Sequence, residues 1–143
     1  MYNTSMNLAE LILDLHINCL APLRAIAAKN NLSISQLLCI LCIPYNGITQ
    51  SNLAKKLSLD ISTLSRNLNK MINKNIIMKN ITNSDKRIHC IYLTEYGKLL
   101  YSQINSDLEE KLLSIYQQMN LDDIESLSHG VEKLNWELMK KTL

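Results

Sequence analysis

A mainly α-helical chain with one short β-hairpin is the fold class this sequence predicts, and three observations predict it. Only three glycines and two prolines occur in 143 residues, too few for the many turns of an all-β fold. Apolar residues recur at intervals of three and four along most of the chain. One stretch breaks that rhythm, with two β-rich runs flanking the turn-like Thr82-Asn83-Ser84-Asp85-Lys86. With 47% hydrophobic and 20% charged residues the chain reads as one ordinary globular domain. Collagen-like, mucin-like and wholly disordered proteins are thereby excluded.

The first helix carries Leu8, Leu11, Ile12, Leu15, Cys19, Leu23 and Ile26 at helical spacing, and Asn30-Asn31 ends it. Pro22 should bend or interrupt it. Ser33 caps a second helix through Ile34, Leu37, Leu38 and Leu41, which stops before Pro44. Tyr45-Asn46-Gly47 is a turn, and Ile48 begins a very short strand. Thr49 caps a third helix with Leu53, Ala54 and Leu57 facing inward. After the tight joint Ser58-Leu59, Asp60 caps a fourth, whose stripe is Ile61, Leu64, Leu68, Met71 and Ile72. Two short amphipathic helices so joined form a helix-turn-helix.

Ile76 to Ile81 reads as a strand and Arg87 to Leu93 as its returning partner. A hairpin directly after a helix-turn-helix is a wing. Thr94 then starts a helix of roughly 25 residues, about 37 Å long, striped by Leu100, Ile104, Leu108, Leu112, Ile115 and Met119. A small domain cannot cover that length by itself. Asn120 caps a last helix, with Asp122, Asp123 and Glu125 in its first turn and Lys140-Lys141 near its end, as the helix dipole favours.

Charge is distributed unevenly. Between Thr49 and Cys90 stand eight basic residues and only Asp60 and Asp85 against them, a net of +6. The remainder holds seven basic and eleven acidic residues, a net of −4. A basic middle between acidic flanks is the footprint of a module that faces a polyanion. The start, MYNTSMNLAELILDLH, lacks the basic n-region and cleavage site of a secretory signal. No run approaches the roughly 18 apolar residues of a membrane span. Four cysteines without export signals fit a reducing compartment. The expectation is a cytoplasmic protein with no membrane partner.

The segments LSISQLLCIL, GITQSNLAKKLSLDISTLSRNLNKMINKNIIMK and DKRIHCIYLTEYGKLL together resemble the MarR family of winged-helix bacterial transcription regulators. The resemblance covers about Leu32 to Leu100. Its most specific element is Asp85-Lys86-Arg87 followed by Leu93-Thr94-Glu95-Tyr96-Gly97, a D-x-R wing tip before an L-T-x-x-G junction. The resemblance implies a single MarR-like chain over 1–143, with a winged helix-turn-helix lobe at 33–93. It implies helical dimerisation regions at 1–30 and 94–143, interlocking in an obligate two-fold homodimer. One departure is Asn75, where the family often has glycine; asparagine is the next-best residue for a left-handed turn.

With its apolar stripe turned inward, the fourth helix presents Ser62, Thr63, Ser65, Arg66, Asn69, Lys70, Asn73 and Lys74 on the other face. A major groove admits such a helix, its N-terminal residues nearest the base edges. Arg66 suits guanine O6 and N7, and Asn69 suits adenine N6 and N7. Ser62, Thr63 and Ser65 are short enough to reach bases or phosphates, while Lys70 and Lys74 lie further along and suit phosphate. The resemblance sends Arg87 into the minor groove, braced by Asp85, with Lys86 beside it. Narrow minor grooves do attract arginine. The partner is then a pseudo-palindromic operator in double-stranded DNA. By family analogy the protein is a repressor released by a small aromatic or phenolic effector, held between the dimer arms and the winged lobe.

The cysteines admit three readings. His16 with Cys19 and Cys39 with Cys42 have metal-type spacing, yet both pairs lie inside amphipathic helices, where cysteine behaves as a small hydrophobe. Thiol-based sensing requires an exposed, electropositive site, and Cys90 in the basic wing strand fits that best. No metal or cofactor is expected. No catalytic residue is expected either: His16, His89 and His129 are scattered, and no P-loop, G-x-S-x-G or H-E-x-x-H occurs. Outside transcription, the remaining alternative is a winged helix used for protein or RNA contact.

Overall fold

Every helix begins on a residue whose side chain can accept from the backbone, and this local chemistry sets the element order. The computed structural model describes residues 7–81 and 89–142. Asn7 and Glu10 form a reciprocal capping box at the start of α1 (Leu8–Lys29), and Ser33 and Gln36 do the same for α2 (Ile34–Cys42). Thr49 accepts from the Asn52 amide to open α3 (Gln50–Leu57), and Asp60 accepts from the Thr63 amide to open α4 (Ile61–Asn73). Thr94 accepts from the Gly97 amide before α5 (Glu95–Tyr116), and Asn120 from the Asp123 amide before α6 (Leu121–Thr142). Each such cap stabilises its helix by about 1 kcal/mol. Besides Gly47 at φ 83°, three joints among the described residues carry a side chain in left-handed backbone, Asn31, Ser58 and Asn75, with φ of 55°, 53° and 57°. Asparagine tolerates that conformation best among residues with a side chain.

The strands are β1 (Ile48–Thr49), β2 (Ile77–Ile81) and β3 (His89–Leu93), in the order β1-β3-β2 and antiparallel throughout. Ile77 lies opposite Leu93, Lys79 opposite Ile91 and Ile81 opposite His89. The expected hairpin is therefore present, with β1 added as a third strand through Ile48 opposite Ile91. The wing turn, and with it Asp85, Lys86 and Arg87, lies outside the described residues.

Two compact units divide the chain, Met1–Asp107 and Leu108–Leu143. The core belongs to the first: Leu37, Ile40, Leu53, Leu64, Leu68, Met71, Ile76, Ile91 and Ile104 are fully buried. At its edge Asp107 accepts from Lys29 Nζ at 2.7 Å and Gln103 Nε2 at 3.0 Å, fastening α5 to the end of α1. The Lys29 hydrogen bond, with that of Gln103, holds the Asp107 carboxyl below its ordinary range against the opposing effect of desolvation. Among the described residues of the second unit no side chain is buried, and Leu121, Leu127, Val131 and Trp136 of α6 are exposed.

Several details differ from the sequence reading. α1 runs unbroken through Pro22, anchored by its capping box at one end and by buried Ile26 and Ala27 at the other. Only those two of its residues are buried, so Leu8, Leu11, Leu15 and Cys19 of the expected stripe face outward. α1 is also long and apolar enough to cross a membrane by length and composition. Counting consecutive apolar residues missed this, because Glu10 and Asp14 interrupt the run without offsetting its average. In α4, Ile61 and Ile72 are exposed while Leu64, Leu68 and Met71 are buried. At about 100° per residue those two isoleucines lie roughly 60–80° around the helix from Leu64, beyond the edge of the core.

Candidate nucleic-acid interface

α4 has two faces of opposite character. Leu64, Leu68 and Met71 lock it into the core, and Ser62, Thr63, Arg66, Asn69, Lys70, Asn73 and Lys74 stand exposed on the other side, with Ser65 half-buried. The helix is held by more than apolar packing. Asn67 Nδ2 donates to Ser35 Oγ at 2.9 Å and to Cys39 Sγ at 3.4 Å, tying α4 to α2. Sequence reasoning missed Asn67, since its partners lie 28 and 32 residues away and no local pattern announces them.

At the N-terminus of α4, Asp60 gathers three donors. Its carboxylate accepts from the Thr63 amide at 2.8 Å, from the Thr63 hydroxyl at 2.6 Å, and from the Ser62 hydroxyl. The Ser62 hydroxyl first, then those of Thr63, hold the Asp60 carboxyl well below the usual carboxylate range. At the other end Lys74 Nζ donates to the Asn31 carbonyl at 2.8 Å. One of its three protons is thus committed to the turn after α1, leaving two for a phosphate.

The junction from α4 to α5 explains the L-T-x-x-G sequence physically. Thr94 Oγ1 lies 2.6 Å from the Asn75 carbonyl and 3.1 Å from that of Ile76, donating to them, and accepts from Gly97 N at 3.0 Å. Gly97 packs against the same carbonyl: a Cβ there would lie 2.1 Å from Ile76 O. Threonine and glycine are therefore needed where β2 starts, β3 ends and α5 begins.

The cysteines divide by environment. Cys39 is buried, and desolvation pushes its thiol up to about 11; burial raises Cys42 as well. Both are thereby poor thiolates at neutral pH. Cys90 is half-buried in β3, opposite Asn80 and Thr49, and Cys19 is exposed on α1. Among the described residues no three His, Cys, Asp or Glu side chains gather as a metal site would require.

A cavity of about 290 Å³ lies within the first unit, lined by Ile43, Pro44, Tyr45, Leu93, Lys98 and Tyr101 among others. Lys98 Nζ sits 4.9 Å from the centre of the Tyr45 ring and pairs with Glu95 at 2.7 Å.

Comparison with known proteins agrees with this geometry. The MarR family profile matches residues 32–89. An uncharacterized HTH-type transcriptional regulator of Bacillus subtilis strain 168, YybA, is 31% identical over 101 residues, which span 66% of this chain and 67% of the relative. Apo MarR from E. coli superposes with a TM-score of 0.82 at 22% identity, covering 92% of this chain and 98% of the other. S. aureus MepR in its DNA complex gives 0.75 at 18% identity, covering 93% and 99%. At such identities the two crystal structures establish the winged-helix fold. Together with the matched segment and the bacillary relative, they lead to one assignment: the chain belongs to the MarR family, whose members are DNA-binding transcription regulators and not enzymes.

Proposed function

We propose that this protein is a homodimeric, sequence-specific repressor of transcription that reads a pseudo-palindromic operator and is released by a small aromatic effector. The observation that carries the reading is the outer face of α4. Arg66, Asn69 and Lys70 project from it with the Ser62 and Thr63 hydroxyls, while the opposite face is fixed in the core. Such a helix fits a major groove, where Arg66 pairs with guanine and Asn69 with adenine. Lys70, and the free protons of Lys74, neutralise phosphate. Lys86 and Arg87, beyond the described residues, reach the minor groove with Asp85 as brace. The winged lobe spans 33–93.

The dimerisation regions are 1–30 and 94–143. What supports them is unpaid apolar surface: Leu8, Leu13 and Ile17 of α1 are 67%, 63% and 60% exposed, and Leu121 and Trp136 of α6 are 83% and 60% exposed. A protein working in the cytoplasm does not leave so much apolar area in water, and a second copy of the chain removes it. This also accounts for the membrane-like composition of α1. The cavity beside Tyr45, Tyr101 and Lys98 suits an aromatic anion, which offers a ring to the tyrosines and a charge to the ammonium.

Sedimentation equilibrium, alone and on duplex DNA at rising salt, tests the reading. The expected result is a dimer at micromolar concentration. Its duplex affinity should fall by about 10³-fold or more between 50 and 200 mM salt, as six or more neutralised phosphates require. A monomer, or a complex indifferent to salt, would refute it.

A further inference from the structure

The hydroxyls at the start of α4 are not free to choose their hydrogen-bonding role. An ionised carboxylate only accepts, so wherever Ser62 Oγ and Thr63 Oγ1 meet Asp60, each hydroxyl proton points at the carboxylate. The Asp60 carboxyl, held below the usual carboxylate range, stays ionised at neutral pH. What Ser62 and Thr63 present outward is then lone pairs alone. A phosphate oxygen also has only lone pairs to offer and makes no hydrogen bond to such a hydroxyl. Both residues are exposed on α4 on the side away from the core, about one turn N-terminal to Arg66 and about two to Asn69.

We propose that Asp60 is a specificity-determining residue: by orienting the Ser62 and Thr63 hydroxyls as acceptors, it makes α4 select a base that carries an exocyclic amino group. In the major groove those bases are adenine, through N6, and cytosine, through N4; thymine O4 and guanine O6 are acceptors and are rejected. Asp60 acts through its two neighbours and is a positioning residue. The inference rests on α4 reading the major groove and deepens that reading, assigning Ser62 and Thr63 to base edges instead of phosphates.

Asp60→Asn is the informative variant. Asparagine caps a helix as well as aspartate, so the fold is retained. Its oxygen stays on the Thr63 amide, which Ser62 also meets, so its NH2 group faces Thr63 Oγ1, which accepts from it and turns its own proton outward. Sites are first selected from random duplexes by the wild-type protein. In the selected duplex, adenine is then replaced by purine, or cytosine by 2-pyrimidinone, one base at a time, removing only the amino group. Besides the adenine that Asn69 pairs with, identified by its loss in Asn69→Ala, the wild type should lose about 10-fold at one further position per half-site, the scale of one base contact. Asp60→Asn should lose less than about 3-fold there and should newly accept thymine or guanine. Thr63→Val should abolish the discrimination that Asp60→Asn relaxes, while Ser62→Ala, whose hydroxyl meets the retained oxygen, should leave it in place. No amino-group effect beyond the Asn69 adenine, or discrimination at the further position undiminished in Asp60→Asn, overturns the inference while leaving the DNA-reading helix intact. Selection of no sequence by the wild type overturns both.

Discussion

Arg66→Ala will cost the protein its operator without costing it its fold. Arg66 is exposed on α4, so its removal leaves Leu64, Leu68 and Met71 packed as before. A bidentate arginine–guanine pair contributes about 1–3 kcal/mol of discrimination, and a dimer makes two. The combined loss of about 2–6 kcal/mol corresponds to at least roughly 30-fold in affinity. Base preference should relax at one position per half-site, because the remaining phosphate contacts do not distinguish sequences. Arg87→Ala should weaken binding across all sequences alike, with base preference at the major-groove positions unchanged. Fluorescence anisotropy on the selected duplex and on single-base variants separates the two patterns. Wild-type affinity in both mutants would remove α4 and the wing from the interface.

Gly97→Ala should be strongly destabilising although it adds a single carbon. The added carbon would sit 2.1 Å from Ile76 O and 3.3 Å from Leu93 Cβ. A backbone carbonyl is the obstacle, and it cannot swing aside as a flexible side chain would. It also accepts from Thr94 N at 3.0 Å and from Thr94 Oγ1, while the Ile76 amide donates to Met71 O at 3.0 Å. Relieving the clash means separating α5 from β2 or breaking the Thr94 cap. Overpacking a fixed site costs about 1–3 kcal/mol and occasionally more, so a loss near 3 kcal/mol is expected. For a chain of this size that lowers Tm by roughly 10 °C. Gly130→Ala is the matched control. It lies inside α6 with nothing of its own chain within 4 Å of an added Cβ, and alanine there gains about 0.5–1 kcal/mol of helix propensity. Equal effects in the two variants would show that helix propensity, and not the Ile76 carbonyl, governs Gly97.

Most of the fold was legible because its signals are local. Ser33, Thr49, Asp60 and Asn120 were each readable as caps, since a cap and the amide that donates to it lie three residues apart. The left-handed turn at Asn75 followed from the family resemblance, asparagine standing where glycine is usual, and the hairpin from alternating β-formers around a polar turn. The polar face of α4 emerged from helical periodicity alone. Less legible were features set by distant partners. Asn67 looked like one more polar residue until its contacts with Ser35 and Cys39 appeared. Lys74 looked free for phosphate until it met the Asn31 carbonyl. Ile61 and Ile72 show the converse, apolar residues at tolerable helical spacing that the core does not reach. Ser62 and Thr63 were recognisable as donors or acceptors; the choice between those roles came only with Asp60 in place.

The central claim, that paired α4 helices read base edges, is tested most directly by selecting binding sites from a random duplex library and examining the enriched sequences for symmetry. The account predicts a pseudo-palindrome whose half-sites lie about one helical turn, roughly 34–36 Å, apart. Guanine and adenine should stand at the positions that Arg66 and Asn69 face. Enrichment of no sequence, with only salt-sensitive bulk binding, would contradict it and reduce α4 to a phosphate-binding surface.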